Sequence, residues 1–169
     1  RTRIKSEAEA TDELWHEIRN AYRTRRILTG TLDGIEQTAG GKTLATVSFR
    51  GFRIAIPIRE MLVLEDRMPS GRAYADYMNR LNRILGTMLG AEIDFIVKGI
   101  DSTTHSAVAS RREAMLRKRQ TFYLGKDVSG NPYIYPGRLV EARVIAVAEK
   151  VLRVEAFGIE CAIFARDLS

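Results

Sequence analysis

The sequence predicts a mixed α+β fold that is mainly β, with helices added to it. Short apolar segments of alternating or continuous hydrophobicity, separated by glycine-containing turns, predict strands within residues 27–58, 92–109 and 139–164. Apolar residues at helical spacing predict helices within 6–26, 69–86 and 110–124. The 169 residues are 45% hydrophobic and 28% charged, which is typical of globular proteins and excludes a collagen-like, low-complexity or largely disordered chain.

The first predicted element is an amphipathic helix from Ser6 to about Arg26. Ser6 can cap this helix, and Glu9 stands three residues later, as in a capping box. Its predicted apolar face contains Leu14, Trp15, Ile18 and Tyr22. Its last turns contain Arg19, Arg23, Arg25 and Arg26. Cations there suit the negative end of the helix dipole, and they also suit contact with phosphate, so both interpretations stay open.

Three strands follow, at 27–35, 43–49 and 52–58, and glycines mark the turns between them. The segment 40–43, Gly-Gly-Lys-Thr, is similar to the end of a phosphate-binding loop. However, that motif requires glycine where this chain has Glu36, and it leads from a strand into a helix. Here the segment leads into a strand, so we interpret it as a hairpin turn.

The pattern then becomes helical between Pro69 and Gly86, with an apolar face that we expect to pack in the core. Strands at 92–100 and 106–109 enclose a polar turn. A third helix, from Ser110 to about Leu124, carries the densest basic stretch of the chain: Arg111, Arg112, Arg117, Lys118 and Arg119. This stretch is either a solvated helix face or a surface that contacts nucleic acid, and both interpretations stay open. Phe122 and Tyr123 follow it directly, so that aromatic rings stand beside positive charge.

Residues 125–137 are rich in turn-forming residues and predict a boundary between two units. A second set of three strands follows, at 139–148, 150–157 and 159–164. Residues 51–61 align position for position with 158–168, and 28–32 align with 140–144, the first copy having a longer hairpin. The sequence therefore predicts an internal repeat.

Four segments, in their order and spacing, resemble the RNA-binding domain repeated in bacterial ribosomal protein S-one. They are residues 29–35, 51–60, 89–101 and 107–111. The resemblance implies a five-stranded OB-fold barrel. On this basis we expect an N-terminal helix at 1–26, a first OB-fold domain at 27–111 with a helical insertion at about 62–88, a basic helix and linker at 112–135, and a partial second OB-like domain at 136–169.

The resemblance also implies where nucleic acid binds. In the first repeat the family's binding positions fall close to Thr43, Thr46, Pro57, Asp101 and His105, of which only Asp101 keeps the family's residue type. In the second repeat they fall near Lys150, Arg153 and Phe164, which supply one stacking ring and two cations. From the residues themselves, Lys42 and Arg53 lie in or beside strands two and three, and the basic stretch of the third helix completes the predicted site.

These features predict non-enzymatic binding of RNA or single-stranded nucleic acid, without a metal or cofactor. Lys and Arg outnumber Asp and Glu by 27 to 21, giving a net charge of +6 that suits a polyanionic partner. The alternative is a protein-interaction scaffold whose barrel has lost nucleic-acid binding, and whose Trp15 and Tyr77 helices dock a protein partner or a second copy.

The remaining expectations concern cysteine, histidine and location. Cys161 is the single cysteine, and its spacing from His16 and His105 is not that of a metal site. Because it lies in an apolar run, we expect it to be buried on the third strand of the second barrel. No apolar run approaches the ~18 residues of a membrane span. A reducing, cytoplasmic location is the expectation.

Overall fold

A computed structural model, which describes residue 4 and residues 6–63 and 69–168, contains a closed five-stranded barrel, three helices and a separate three-stranded sheet. The predicted mixed, mainly β fold is confirmed. The helices are α1 (Glu7–Thr24), α2 (Arg72–Thr87) and α3 (Arg111–Phe122). The barrel strands are β1 (Ile27–Gln37), β2 (Thr43–Phe49), β3 (Phe52–Pro57), β4 (Glu92–Asp101) and β5 (Ser106–Ser110), and the second sheet has β6 (Arg143–Ala148), β7 (Val151–Ala156) and β8 (Ile159–Phe164).

The barrel closes in the strand order β1-β2-β3-β5-β4, with β4 pairing back onto β1. The β3–β5 pair is parallel and the other pairs are antiparallel. Alternate residues of the strands fill the interior, including fully buried Leu32, Val47, Ile54 and Phe95. Gly30 is required by close packing, because a Cβ there would lie 2.7 Å from the carbonyl oxygen of Ser48.

Helices α1 and α2 bury their apolar faces against this barrel. The predicted capping box of α1 is present: the Ser6 hydroxyl accepts from the Glu9 N–H, and the Glu9 carboxylate accepts from the Ser6 N–H, both at 3.2 Å. Trp15 and Ile18 of α1 and Leu81 and Leu85 of α2 are buried in the hydrophobic core. Trp15 is therefore covered by this chain's own barrel, whereas Tyr77 of the α2 face is only half-buried.

The second sheet, in the order β6-β7-β8, turns one face towards α3 and the barrel. The opposite face includes Val144, Val147 and Cys161, all exposed. The expected burial of Cys161 is therefore wrong. Ile54, with which the sequence alignment pairs Cys161, is enclosed inside a five-stranded barrel, whereas the three-stranded sheet leaves this face open to solvent.

Helix α3 joins the barrel to the second sheet. It follows β5 directly, and its N-cap Ser110 accepts a hydrogen bond from the Glu113 N–H at 3.0 Å. At its other end, the Phe122 ring lies 4.3 Å from the Phe157 ring, and the Tyr123 hydroxyl donates to the Ala156 carbonyl at 3.0 Å. The α3 backbone and the β7–β8 turn are consequently in direct contact.

Candidate nucleic-acid interface

A cleft of about 590 Å³ lies between α2, α3 and the second sheet. Its polar lining consists of Tyr77 and Arg80 from α2, Arg119 from α3, and Arg153 and Glu160 from the second sheet. We call it the basic cleft. The pairings Arg153–Ala162 and Val154–Cys161 place Arg153 and Glu160 on the face of the sheet that turns towards α3. Three arginines from three different elements therefore converge on one concave surface.

One carboxylate is shared between two arginines at the floor of this cleft. Glu160 accepts from Arg111 at 2.8 Å and also pairs with Arg153. The Arg111 side chain is only 2% exposed and also donates to the Met61 carbonyl at 2.8 Å. Because Glu160 is the only acidic residue among the described lining of the cleft, the basic cleft keeps a net positive charge.

Aromatic rings lie in and beside the basic cleft. The Arg80 guanidinium stands 5.5 Å from the centre of the Tyr77 ring, within cation–π distance. At the end of β8, Phe164 is 43% exposed and the Arg166 guanidinium lies 5.0 Å from its ring centre. Since Phe164 is opposite Val151, it is a diagonal neighbour of Arg153 on the same face of the sheet. This arrangement offers cations and flat rings together.

Lys150 lies in the turn between β6 and β7, at the same end of the sheet as Phe164. Its side chain is exposed, and its carbonyl accepts from the Ala165 N–H at 2.9 Å. The three residues predicted for the second repeat thus lie on the second sheet: Arg153 lines the basic cleft with Arg119, and Phe164 and Lys150 lie further along the sheet, at its other end from Gly158.

The other predicted residues of the third helix point in different directions. Lys118 bridges Asp94 of β4 and Glu155 of β7, at 2.7 Å from each carboxylate. Arg117 donates to the Arg25 carbonyl at the end of α1. The Nε of Arg112 is buried and has no hydrogen-bond partner among the described residues. Some cations of the basic stretch of α3 are therefore paired inside the molecule, Arg111 among them, and the others reach two separate surfaces.

The residues predicted for the first repeat lie elsewhere on the barrel. Arg53, on the outer face of β3, pairs with Glu36 at 2.7 Å, and Lys42 is exposed in the β1–β2 hairpin. Asp101 accepts from the Thr103 N–H at 2.9 Å, which lowers the pKa of this exposed carboxyl. His105 stacks on Trp15 with 4.8 Å between ring centres. These four side chains do not share a cleft with Arg153.

Two residues of the basic cleft, Tyr77 and Arg80, were not among those predicted from sequence. Tyr77 falls within the apolar face of α2, and that pattern predicts core packing. In the structure it packs against the core but is half-buried, so that part of its ring lines the cleft. The sequence signal that could have indicated this pair is an aromatic residue and an arginine three positions apart, because such residues are neighbours on the surface of a helix.

A buried ionic network beside the cleft ties the barrel to the second sheet. Asp94 accepts from Lys118, from the Thr29 hydroxyl at 2.6 Å and from Arg143 at 3.0 Å. Burial raises the pKa of the Asp94 carboxyl, but the hydrogen bonds from Lys118, Thr29 and Arg143 and the charge of Lys118 outweigh burial, so the pKa lies below its ordinary value. The ionised carboxylate is therefore the form that the fold stabilises.

We expect this network to make the fold sensitive to acid. A carboxyl whose pKa is lower in the folded than in the unfolded protein stabilises the fold above the unfolded pKa, and this stabilisation is lost as the pH falls through the folded value. Replacement of Asp94→Asn should cost about 2 kcal/mol near neutral pH. Urea unfolding should show this difference shrinking as the pH is lowered from neutral to below 3.8, the ordinary pKa of an aspartate carboxyl. A difference that stays constant over this range would contradict the assignment.

The sequence matches no protein-family model and no curated protein. Within the described part of the chain, no group of three or more His, Cys, Asp or Glu residues is placed to hold a metal ion. None of the described helices is long and apolar enough to span a membrane.

Proposed function

We propose that the protein binds single-stranded RNA, with the basic cleft as its principal contact surface. The observation that carries the proposal is the convergence of Arg80, Arg119 and Arg153 around a cleft with a single carboxylate among its described lining residues. Cations track the phosphates of a single strand, and aromatic rings stack with its bases for about 1 to 3 kcal/mol each. Binding of this kind needs no covalent chemistry.

The strand has a continuous route along this surface. Tyr77 and Arg80 also line another depression, of about 410 Å³, beside α2, together with Arg83 and the acidic Asp76. At the other side, Phe164 and Lys150 extend the surface along the second sheet. A strand lying across α2, the basic cleft and β8 would meet cations and rings along its length, which is the pattern of surfaces that bind single strands without strong sequence preference.

We also propose that the chain carries two copies of the S-one-type unit. Three features of the backbone support this proposal. A β-bulge interrupts pairing after Leu32 in β1 and after Val144 in β6, the positions that the sequence alignment pairs. The turns at 50–51 and 157–158 both have positive φ at both residues. Strands β3 and β8 each lead directly into a short 3-10 helix, Ile58–Glu60 and Ala165–Asp167.

The outer face of the first barrel is a weaker candidate for the binding surface. The family's binding positions on β2 and β3 are occupied by Thr43, Thr46 and Pro57, so that no aromatic ring stands there. Thr46 is used internally, because its hydroxyl donates to the Asp33 carboxylate at 3.0 Å. Arg53 pairs one to one with Glu36, whereas Glu160 is shared by Arg111 and Arg153. The second sheet and the helices beside it therefore supply the stronger surface.

The proposal predicts that removing two cations from the basic cleft weakens RNA binding. In the double variant Arg80→Ala, Arg153→Ala the affinity for a single-stranded RNA of about 12 nucleotides should fall at least about tenfold at low salt, and the slope of log affinity against log salt should become less steep by about 1 to 2. Fluorescence anisotropy of a labelled strand measures both. Glu160 keeps Arg111 as a partner in this variant, so the fold should be retained.

A matched control removes the same charge from the first barrel. The double variant Lys42→Ala, Arg53→Ala should change the affinity by less than about twofold, because both residues lie on the first barrel and neither lines the basic cleft. Equal losses in the two double variants would mean that net charge alone determines binding. The absence of salt-sensitive binding in the unaltered protein would overturn the proposal and favour the protein-interaction alternative.

A further inference from the structure

A second groove, of about 400 Å³, lies at the C-terminal half of α1, away from the basic cleft. It is lined by His16, Arg19, Asn20, Tyr22, Arg23 and Ile100. None of these described lining residues is acidic. We call it the α1 groove. An uncharged polar group, two arginines and a tyrosine ring around a concavity are suited to a ligand with both phosphate and a flat ring.

The positive charges of the α1 groove are not compensated by acidic residues within the described structure. Arg19 has no ion pair there, and Arg23 hydrogen-bonds only to the neutral Asn20 side chain, at 3.3 Å. Arg19 and Arg23 are four residues apart, so that like charges are held on one helix face, an arrangement that destabilises a helix. Other arginines of this region differ, since Arg26 and Arg50 both pair with Glu17.

The end of α1 carries a second energetic cost. Arg25 has φ +57, a left-handed conformation that glycine or asparagine adopts more readily at the end of a helix. Its guanidinium lies 5.6 Å from the centre of the Tyr22 ring, so the cap adds a third positive charge at the edge of the α1 groove. Non-glycine residues in this conformation cost free energy and cluster at binding sites.

The α1 groove and the basic cleft lie on opposite sides of α3. Arg117 reaches the Arg25 carbonyl at the end of α1, whereas Arg119 donates to the Gly158 carbonyl of the second sheet. Residues two apart on a helix differ in direction by about 200°. A single strand that leaves the basic cleft can therefore reach the α1 groove only by passing over or around α3.

From these observations we propose that the α1 groove is a second contact site for the same RNA strand, engaged only by strands long enough to pass α3. This inference rests on the proposed function. It predicts that an RNA of about 20 nucleotides binds more tightly than one of about 8 nucleotides. A longer strand offers more positions at which the same contacts can form, and the difference in affinity should exceed this statistical gain. The added affinity depends on the arginines of α1.

The test uses the triple variant Arg19→Ala, Arg23→Ala, Arg25→Gly, with RNA strands of both lengths. Glycine at position 25 suits the left-handed cap, so the fold should not be weakened there. Affinity for the long strand should fall about tenfold, with a salt slope less steep by about 2, and affinity for the short strand should change less than about twofold. The control Arg26→Ala, Arg50→Ala removes two arginines of the same region that do not line the α1 groove, and it should have little effect.

Three results would overturn the inference. One is an unchanged affinity of the triple variant for the long strand. A second is an equal loss for both strands, because that would indicate a general effect of charge. In both cases binding of the short strand, and its loss in the Arg80→Ala, Arg153→Ala variant, would leave the proposed function standing. The third is the failure of the unaltered protein to bind either strand, which would overturn both proposals.

Discussion

Replacement of Gly158→Ala is expected to detach the second sheet from α3. A Cβ at this position would lie 2.2 Å from the Met115 carbonyl oxygen and 3.2 Å from the Arg119 nitrogen, both in the backbone of α3. Gly158 also has φ +87, which disfavours any residue with a side chain. The two effects together should cost about 2 to 5 kcal/mol of unfolding free energy.

Gly51→Ala is a matched control for this variant, and the barrel and the second sheet can be followed by different signals. Gly51→Ala has a similar φ of +90 but open space around its Cβ, so it should cost only about 1 to 2 kcal/mol. In the Gly158→Ala variant, hydrogen exchange should accelerate in β7 and β8. Fluorescence of Trp15, the single tryptophan and a buried residue of α1 packed against the barrel, should stay native. Unchanged exchange in β7 and β8 would contradict the docking described above.

The second large effect is expected for Arg111→Met. This variant leaves the buried Met61 carbonyl without its donor and removes one of the two arginines bound to Glu160. Breaking a buried ion pair costs about 3 to 5 kcal/mol when the other charge is left unpaired. Because Glu160 keeps Arg153, we expect about 2 to 3 kcal/mol here, mostly from the unsatisfied Met61 carbonyl. Urea unfolding followed by Trp15 fluorescence should show this loss, and binding of RNA should weaken only as far as the fold does.

Arg112→Met is the comparison for this effect, because it changes the same residue type in the next position of the same helix. The Nε of Arg112 is buried and has no hydrogen-bond partner in the described structure. Replacing this residue therefore breaks no hydrogen bond of that atom. We expect a cost below about 1 kcal/mol. Equal costs for the two variants would show that Arg111 has no special structural role.

Local sequence signals predicted the elements well. The observed turns, strands and Ser6 capping box correspond to the predicted ones. At most of their ends, the helices and strands begin or end within a few residues of the predicted bounds. Each of these signals acts over short distances along the chain. The largest difference is at β6, which begins at Arg143 and not at 139, because the residues before it contribute no ladder pairing.

The candidate site was less predictable because it depends on packing between distant elements. Composition identified a basic α3, but only the fold shows that Arg111 is buried on Glu160 while Arg119 lines the basic cleft. Tyr77 and Arg80 join that cleft because α2 packs beside the second sheet, about seventy residues further along the chain. The exposure of Cys161 likewise depends on the sheet being open, which no local pattern encodes.

The most direct test of the proposed function is to locate the RNA on the protein by photo-crosslinking. A single-stranded RNA containing 4-thiouridine would be irradiated in complex with the full chain, and the crosslinked peptides identified by mass spectrometry. The account predicts crosslinks at Tyr77 and Phe164, the aromatic residues in and beside the basic cleft. Crosslinks confined to residues 42–57 of the first barrel, or none above the level of a non-binding control strand, would contradict it.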